Sequence, residues 1–314
     1  MTYADAGKSA LAESMRADPT IWAVGEDLGR GGVFGQYMGL EDEFGPERIV
    51  SAPISEAAIM GSAVGGALTG TRPVVELRFA DFALCAVDEM VNQAAKARYM
   101  FGGQAKVPVV IRQPSGMWRS SAAQHSQMLE AWYAHIPGMV VIMPSTPADN
   151  YGLLKAAIEC DDPVVYMEHK DLWGLEGEVP PDHKVEIGKA SVVSKGSDVT
   201  IVTWSKSRHV ATEAMSKLAG VSVELIDLRS LWPWDRDCVL SSAARTGHLL
   251  VAHEAVRDGG FGAEVVATAA EEIPGLKVAR LGAPRIPIPY APPLEDTVRV
   301  TAEDIAAAVK RIAG

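Results

Sequence analysis

The feature that most constrains this chain is a rhythm: short, continuously apolar runs alternate with longer runs in which apolar residues recur at helical spacing. Residues 21–24, 73–77, 107–111, 139–143 and 164–167 read as buried strands, and residues 57–69, 83–100 and 149–160 as helices. A strand that is apolar on both faces must be covered on both. Such strands therefore pair in parallel between two layers of helix. An N-terminal helix comes first, with Thr2 and Asp5 as its capping box and Ala6, Ala10, Leu11 and Met15 on one face.

The rhythm breaks at Lys170–Lys184, where Gly174, Gly177, Pro180, Pro181 and four acidic residues resemble a linker more than an element interior. A second series then begins, with strands expected at 199–203, 222–226, 249–252 and 277–280 and helices at 208–219, 263–272 and 302–312. The expected fold is two consecutive three-layer α/β/α domains with mainly parallel sheets, the first spanning 1–187 with a linker over about 170–187, the second 188–314. A length of 314 residues allows each domain a core of its own.

The net charge of −11 argues against nucleic acid and anionic membrane as partners, because both need a basic surface; a small-molecule or protein partner fits better. The longest apolar stretch, 57–70, is too short to cross a bilayer, and no basic, apolar leader opens the sequence, so a cytoplasmic location is expected. Cys85, Cys160 and Cys238 are widely separated and form no CxxC, which predicts buried free thiols.

Three places carry candidate chemistry. Glu56 stands in Pro53-Ile54-Ser55-Glu56, opening a small, apolar run that has no cation to pair with it. Desolvation there would favour the protonated carboxyl, suited to proton transfer. Equally, Ser55 could cap the helix while Glu56 complements its dipole. The loop Gly25-Glu26-Asp27-Leu28-Gly29 follows a strand, where α/β sheets place their sites, yet it matches neither GxGxxG nor GxxxxGK[ST]. His125, between Gln124 and Ser126-Gln127, has polar neighbours able to orient an imidazole, against the alternative of a structural histidine. Phe82 reads by default as core, the other histidines lack metal-ligand spacing, and no GxSxG elbow is present.

Seven segments, in order, resemble one family: Gly25-Glu26-Asp27, Pro53-Ile54-Ser55-Glu56, Arg72-Pro73-Val74-Val75-Glu76, Asn92-Gln93-Ala94-Ala95-Lys96, Gln124-His125-Ser126-Gln127, Asp227-Leu228-Arg229 and Gly259-Gly260-Phe261-Gly262-Ala263-Glu264. Across nearly the whole chain they resemble the β subunit of the thiamine-diphosphate-dependent decarboxylating component of 2-oxo acid dehydrogenase complexes, a transketolase-like family that includes acetoin dehydrogenases. The resemblance implies a pyrimidine-binding domain followed by a transketolase C-terminal-like domain. It implies that Glu56 hydrogen-bonds a ring nitrogen of the cofactor, that Phe82 stacks on its pyrimidine, that Ile54 and Glu26 belong to the cofactor-binding set, and that His125 faces the reacting carbonyl. Carbon–carbon cleavage and acyl transfer to lipoamide would follow.

The family's diphosphate-anchoring motif, Gly-Asp-Gly through to an asparagine, is absent from the sequence. The resemblance therefore implies half an active site, with magnesium and diphosphate on an α subunit of an α₂β₂ heterotetramer and a lipoyl-bearing acyltransferase as a further partner. The run Gly61–Ala67 would permit close helix packing at such an interface, or equally within one domain. A structural potassium ion on the backbone carbonyls of Val109, Ala157, Cys160 and Asp162 is also implied. The short loop Arg30–Gly39, Ala52, and the segments 98–103, 168–170 and 177–180 look nearer to acetoin dehydrogenase β subunits. The competing reading is a non-catalytic, transketolase-like assembly subunit. A nicotinamide-dependent Rossmann oxidoreductase is disfavoured by the missing fingerprint.

Overall fold

The computed structural model describes residues 1–314. Its two units are Met1–Ser115 with Trp132–Ile187, and Gly116–Ala131 with Gly188–Gly314. The division after Ile187 is accompanied by a detail the linear reading omits: the loop 116–131, with His125, clusters with the second unit.

In the first unit α1 (Tyr3–Ala17) is capped by Thr2, whose hydroxyl accepts from the Asp5 amide, and buries Ala6, Ala10, Leu11 and Met15. The elements that follow are β1 (Ile21–Glu26), α2 (Leu40–Phe44), β2 (Ile49–Ala52), α3 (Glu56–Leu68), β3 (Arg72–Glu76), α4 (Ala95–Met100), β4 (Val110–Ser115), α5 (Glu130–Ala134), β5 (Val140–Ile142), α6 (Pro147–Glu159) and β6 (Val164–His169). The strands lie in the order β5-β6-β4-β3-β1-β2, and every pair is parallel. α1 packs against α6 on one side, closing a core around Leu11, Met15, Ile49, Leu153, Leu154 and Ile158. Each such side chain contributes roughly 1.5–3 kcal/mol by leaving water.

The expected helix 83–100 is broken: a 3₁₀ turn at Phe82–Ala86 leads into a π-helical stretch at Glu89–Ala94 before α4. One extra residue per turn re-aims the side chains that follow, and such π stretches concentrate at functional sites. Asn92, inside it, donates to Asp88 at 2.7 Å. The expected linker holds one 3₁₀ turn, Lys170–Leu172, then irregular chain.

The second unit contains β7 (Ser191–Ser194), β8 (Val199–Thr203), α7 (Lys206–Met215), β9 (Val223–Asp227), β10 (Ser230–Trp232), α8 (Arg236–Thr246), β11 (His248–Val256), α9 (Gly262–Glu272), β12 (Lys277–Ala283), α10 (Pro292–Val298) and α11 (Ala302–Ala313). Its sheet runs β12-β11-β8-β9-β7, parallel except for the edge pair β7–β9. α11 carries a full Thr301–Asp304 capping box and lays Ile305, Val309 and Ile312 onto the core. The cysteines are all free, but Cys85 is exposed and Cys160 and Cys238 are only half-buried, which corrects the expectation of buried thiols.

Candidate active site

Parallel pairing brings three sequence-distant segments of the first unit to one edge. Glu26 ends β1 and registers with Ala52 at the end of β2; Gly25 registers with Glu76 at the end of β3. Glu26 therefore meets, at the carboxyl ends of these strands, the 53–56 turn that follows β2 and the 77–82 segment that follows β3, where open α/β sheets place ligands. Gly25 is required there: a Cβ would lie 2.6 Å from the Glu76 carbonyl oxygen. Asp27 turns the chain away with a left-handed φ of 55°.

Glu26 is buried and donates nothing; it accepts from Arg78 Nη1 at 3.0 Å, while Nη2 of the same guanidinium lies 3.7 Å from Asp27. Its pKa is nevertheless raised, chiefly by burial, against the pull of Arg78 and with the added repulsion of the Glu56 charge. The two acids thus share one electrostatic site. Glu56 opens α3 but is half-buried, not sealed, and the Ser55 side chain does not cap the helix, bonding the Pro53 carbonyl instead. The desolvated acid at this edge is Glu26, which corrects the expectation that placed the desolvation at Glu56.

Phe82 is half-buried and meets Phe79 edge-on with centroids 5.2 Å apart; Phe79 in turn meets Phe34 at 5.7 Å, and Phe34 lies against Trp173 at 4.2 Å. Phe34 and Phe79 are site neighbours that the sequence reading misses, since nothing local marks them out. Ile54 is 75% exposed at the lip of the same edge.

Behind this edge lies a buried polar network. Arg112 donates from Nε and Nη2 to Glu168 Oε2, at 2.9 and 2.7 Å, and stands 3.6 Å from Glu76 Oε2. Tyr37 and Gln36 donate to Glu76 at 3.0 and 3.4 Å, tying the 30–39 loop to β3. Burial pushes Glu76 up to about 7 although Arg112 opposes it.

The positions that the resemblance names for a potassium ion, Val109, Ala157, Cys160 and Asp162, lie at and near the C-terminus of α6. There Arg72 already supplies positive charge, donating to the Ile158 and Cys160 carbonyls at 3.0 and 3.1 Å and to Asp161 at 2.8 Å. The Val109 carbonyl accepts from the Val164 amide at 2.9 Å. No cluster of His, Cys, Asp or Glu side chains is arranged to hold a metal ion.

His125 lies in the second unit, half-buried, on a loop that holds Arg119, Ser120 and Ala122 at φ of 46°, 58° and 63°. Three non-glycine residues in the left-handed region cost about 1–2 kcal/mol each. A cavity of about 520 Å³ opens beside this loop, lined among others by Gln124, Ser126, Gln127, Glu254 and Arg285. Under it Trp204 donates to Glu130 at 3.2 Å and stacks on His253 at 5.1 Å.

Family comparison agrees with this architecture. Residues 1–174 match the family described as the transketolase pyrimidine binding domain and residues 188–305 the transketolase C-terminal domain. The 2-oxoisovalerate dehydrogenase subunit beta of Bacillus subtilis is 40% identical over 100% of this chain and 98% of its own length. The acetoin:2,6-dichlorophenolindophenol oxidoreductase subunit beta of Cupriavidus necator is 43% identical over 96% of this chain and 94% of its own. A solved structure described as a split-gene transketolase, inactive beta4 tetramer, superposes with a TM-score of 0.85 at 28% identity, covering 100% of this chain and 98% of that one. The chain belongs to the transketolase-like family, in the branch of the 2-oxo acid and acetoin dehydrogenase beta subunits.

Proposed function

We propose that this chain is the β half of a thiamine-diphosphate-dependent dehydrogenase that cleaves a carbon–carbon bond next to a carbonyl and passes the acyl group to lipoamide. The observation that carries the reading is the joint placement of Glu26, Glu56 and the Phe34–Phe79–Phe82 cluster at the carboxyl edge of β1, β2 and β3. An aromatic wall and a coupled acid pair fit a flat, weakly basic heterocycle. Bound there, thiamine diphosphate supplies a nucleophilic carbon able to attack a carbonyl.

The chain's own residues do the rest. Burial, with the Glu56 charge beside it, raises Glu26 and makes it the readier of these groups to take up a proton. Arg78 engages Glu26 and Asp27, and Glu56 is the carboxyl set to hydrogen-bond the ring nitrogen. Phe82 offers its face to the pyrimidine and Ile54 covers its edge, keeping water from the proton path. His125, on its strained loop, exchanges a proton with the substrate oxygen and meets the incoming lipoyl group.

Half a site needs a second chain. One face of α3, carrying Ala57, Ala58, Gly61, Ser62, Gly65 and Leu68, is exposed. Within the chain a Cβ at Gly65 would meet nothing within 4 Å, whereas one at Gly66 would strike Trp22 at 2.9 Å. Gly66 is thus explained by packing inside the unit, and Gly65 is not. Tyr99, Met100 and Phe101, consecutive in the chain, are 86%, 71% and 55% exposed, a run of apolar side chains of the kind that marks interaction surfaces. These features support an α subunit that closes over the site and carries magnesium and diphosphate, in an α₂β₂ assembly served by a lipoyl-bearing acyltransferase. A potassium ion at Val109, Ala157, Cys160 and Asp162 would share the α6 C-terminus with Arg72; a higher melting midpoint in potassium than in sodium chloride is its test.

The decisive experiment adds the α partner. The isolated chain is expected to be inactive, and the pair active with acetoin, pyruvate or a branched-chain 2-oxo acid. Glu56→Gln should abolish turnover of the pair while leaving it assembled. Full activity of the lone chain would refute the half site, and normal turnover of Glu56→Gln would remove its role and favour a non-catalytic assembly subunit.

A further inference from the structure

We propose that Glu254 and Glu130 are positioning residues that clamp the two ends of the 116–131 loop to the second unit and thereby fix the conformation that presents His125. The proposal rests on the reading of His125 as a reacting group.

The clamp is visible at both ends. Where the loop begins, the Met117 amide donates to Glu254 Oε1 at 2.6 Å, and Arg299 donates to the Met117 carbonyl at 3.4 Å. Where it ends, Glu130 is buried and accepts from Trp204 Nε1 at 3.2 Å, while its Oε2 has no hydrogen-bond partner. Between the two lie Arg119, Ser120 and Ala122, whose left-handed backbones would relax if the ends were released. An unfavourable local conformation persists only where its surroundings over-determine it, and these two carboxyls hold the ends of the segment that carries it.

The clamp also accounts for a motif that the chemistry leaves unused. His253 precedes Glu254 on β11, at a register shift between Ala252 and Val256, and its Nδ1 bonds the Ala255 carbonyl at 3.1 Å. A Cβ at Gly260 would lie 2.6 Å from His253 Cε1, and one at Gly262 2.9 Å from Cδ2. The glycines of Gly259-Gly260-Phe261-Gly262 thus make room for the imidazole. His253 stacks on Trp204 at 19° between planes, so one packed unit holds both Glu254 and the tryptophan that grips Glu130.

The test separates the clamp from the role of His125. In the chain reconstituted with its α partner, Glu254→Ala is expected to lower kcat by about 100-fold with KM little changed, the scale set by a misplaced reacting group. Glu254→Gln, whose amide oxygen still accepts from Met117, should restore it to within about threefold. In the isolated full-length chain, trypsin should cut after Arg119, which is exposed, much faster in Glu254→Ala and Glu130→Ala than in the wild type or either Gln variant. Should Glu254→Ala fail to fold, Glu254→Asp, one methylene short, takes its place. Unchanged cleavage in both Ala variants, or equal damage by Ala and Gln, overturns the clamp. Faster cleavage with undiminished kcat upholds it and removes His125 from the reaction.

Discussion

The two units bury their acids in opposite ways. In the first, Glu76 sits in a network with a fully buried cation, Arg112, two hydrogen-bond donors from the 30–39 loop, and a second acid, Glu168. In the second, Glu130 has Trp204 and no cation. Burial nevertheless pushes both to about 7. The reason is that one guanidinium cannot serve two carboxylates equally. Glu168 takes two of its N–H groups and Glu76 is left at 3.6 Å. A buried acid is therefore shielded by the geometry of its bond to a cation, not by the mere presence of one.

The sharpest way to break this comparison is to remove the cation. Arg112→Met leaves Glu76 and Glu168 buried and facing each other, at an expected cost of about 3–5 kcal/mol in denaturant unfolding, because an uncompensated buried charge is left behind. Glu130→Gln, which deletes no buried cation and keeps an acceptor for Trp204, should cost less than about 1 kcal/mol. Equal losses in the two variants would mean that the Arg112 network is not what holds the first unit's acids.

Glycines sharpen the contrast on a smaller scale. Gly262→Ala places a methyl 2.9 Å from His253 and 3.0 Å from Val251, so about 1–3 kcal/mol of overpacking strain is expected in urea unfolding of the isolated chain. Gly65→Ala meets nothing, and its better helix propensity should stabilise the isolated chain by up to about 1 kcal/mol. The same methyl should weaken association with the α partner in a titration. Unchanged association would show that this face of α3 is not the contact.

Much of this was legible in the residues, for identifiable reasons. β8, with all five residues buried, is delimited by its β-branched run, and Thr2, Thr301 and the helices they cap announce themselves through local hydrogen bonding. The edge strands β2 and β7 are not legible, because Ile49–Ala52 and Ser191–Ser194 are short and mixed, and only sheet pairing defines them. α8 carries readable signals, Asp235 accepting from the Cys238 amide and Gly247 left-handed at its end, but little apolar periodicity between them. At the site, Glu26 and Glu56 are flagged by their motifs, and Phe82 only by the family resemblance. Phe34, Phe79 and Glu254 are brought into play by tertiary contacts that no window of sequence contains. For the same reason the sequence places the desolvated acid at Glu56, whereas the fold buries Glu26.

The finest test uses pH, because His253 and Glu130 share Trp204 and titrate with opposite sign. Burial lowers His253 from 6.5 to about 4, so the stability that its neutral form contributes is whole above 6.5 and is lost as pH falls through 4. Burial raises Glu130 from 4.5 to about 7, so the stability of its protonated form is whole below 4.5 and is lost as pH rises through 7. In the wild type the two slopes oppose each other between 4.5 and 6.5. Glu130→Gln removes one of them. The melting midpoint of that variant, measured against the wild type, should therefore rise steadily from pH 4.5 to 7, while its fall toward pH 4 persists. A difference between the two proteins that does not vary with pH would show that Glu130 keeps its ordinary carboxylate value, and that Trp204 and the surrounding core do not desolvate it.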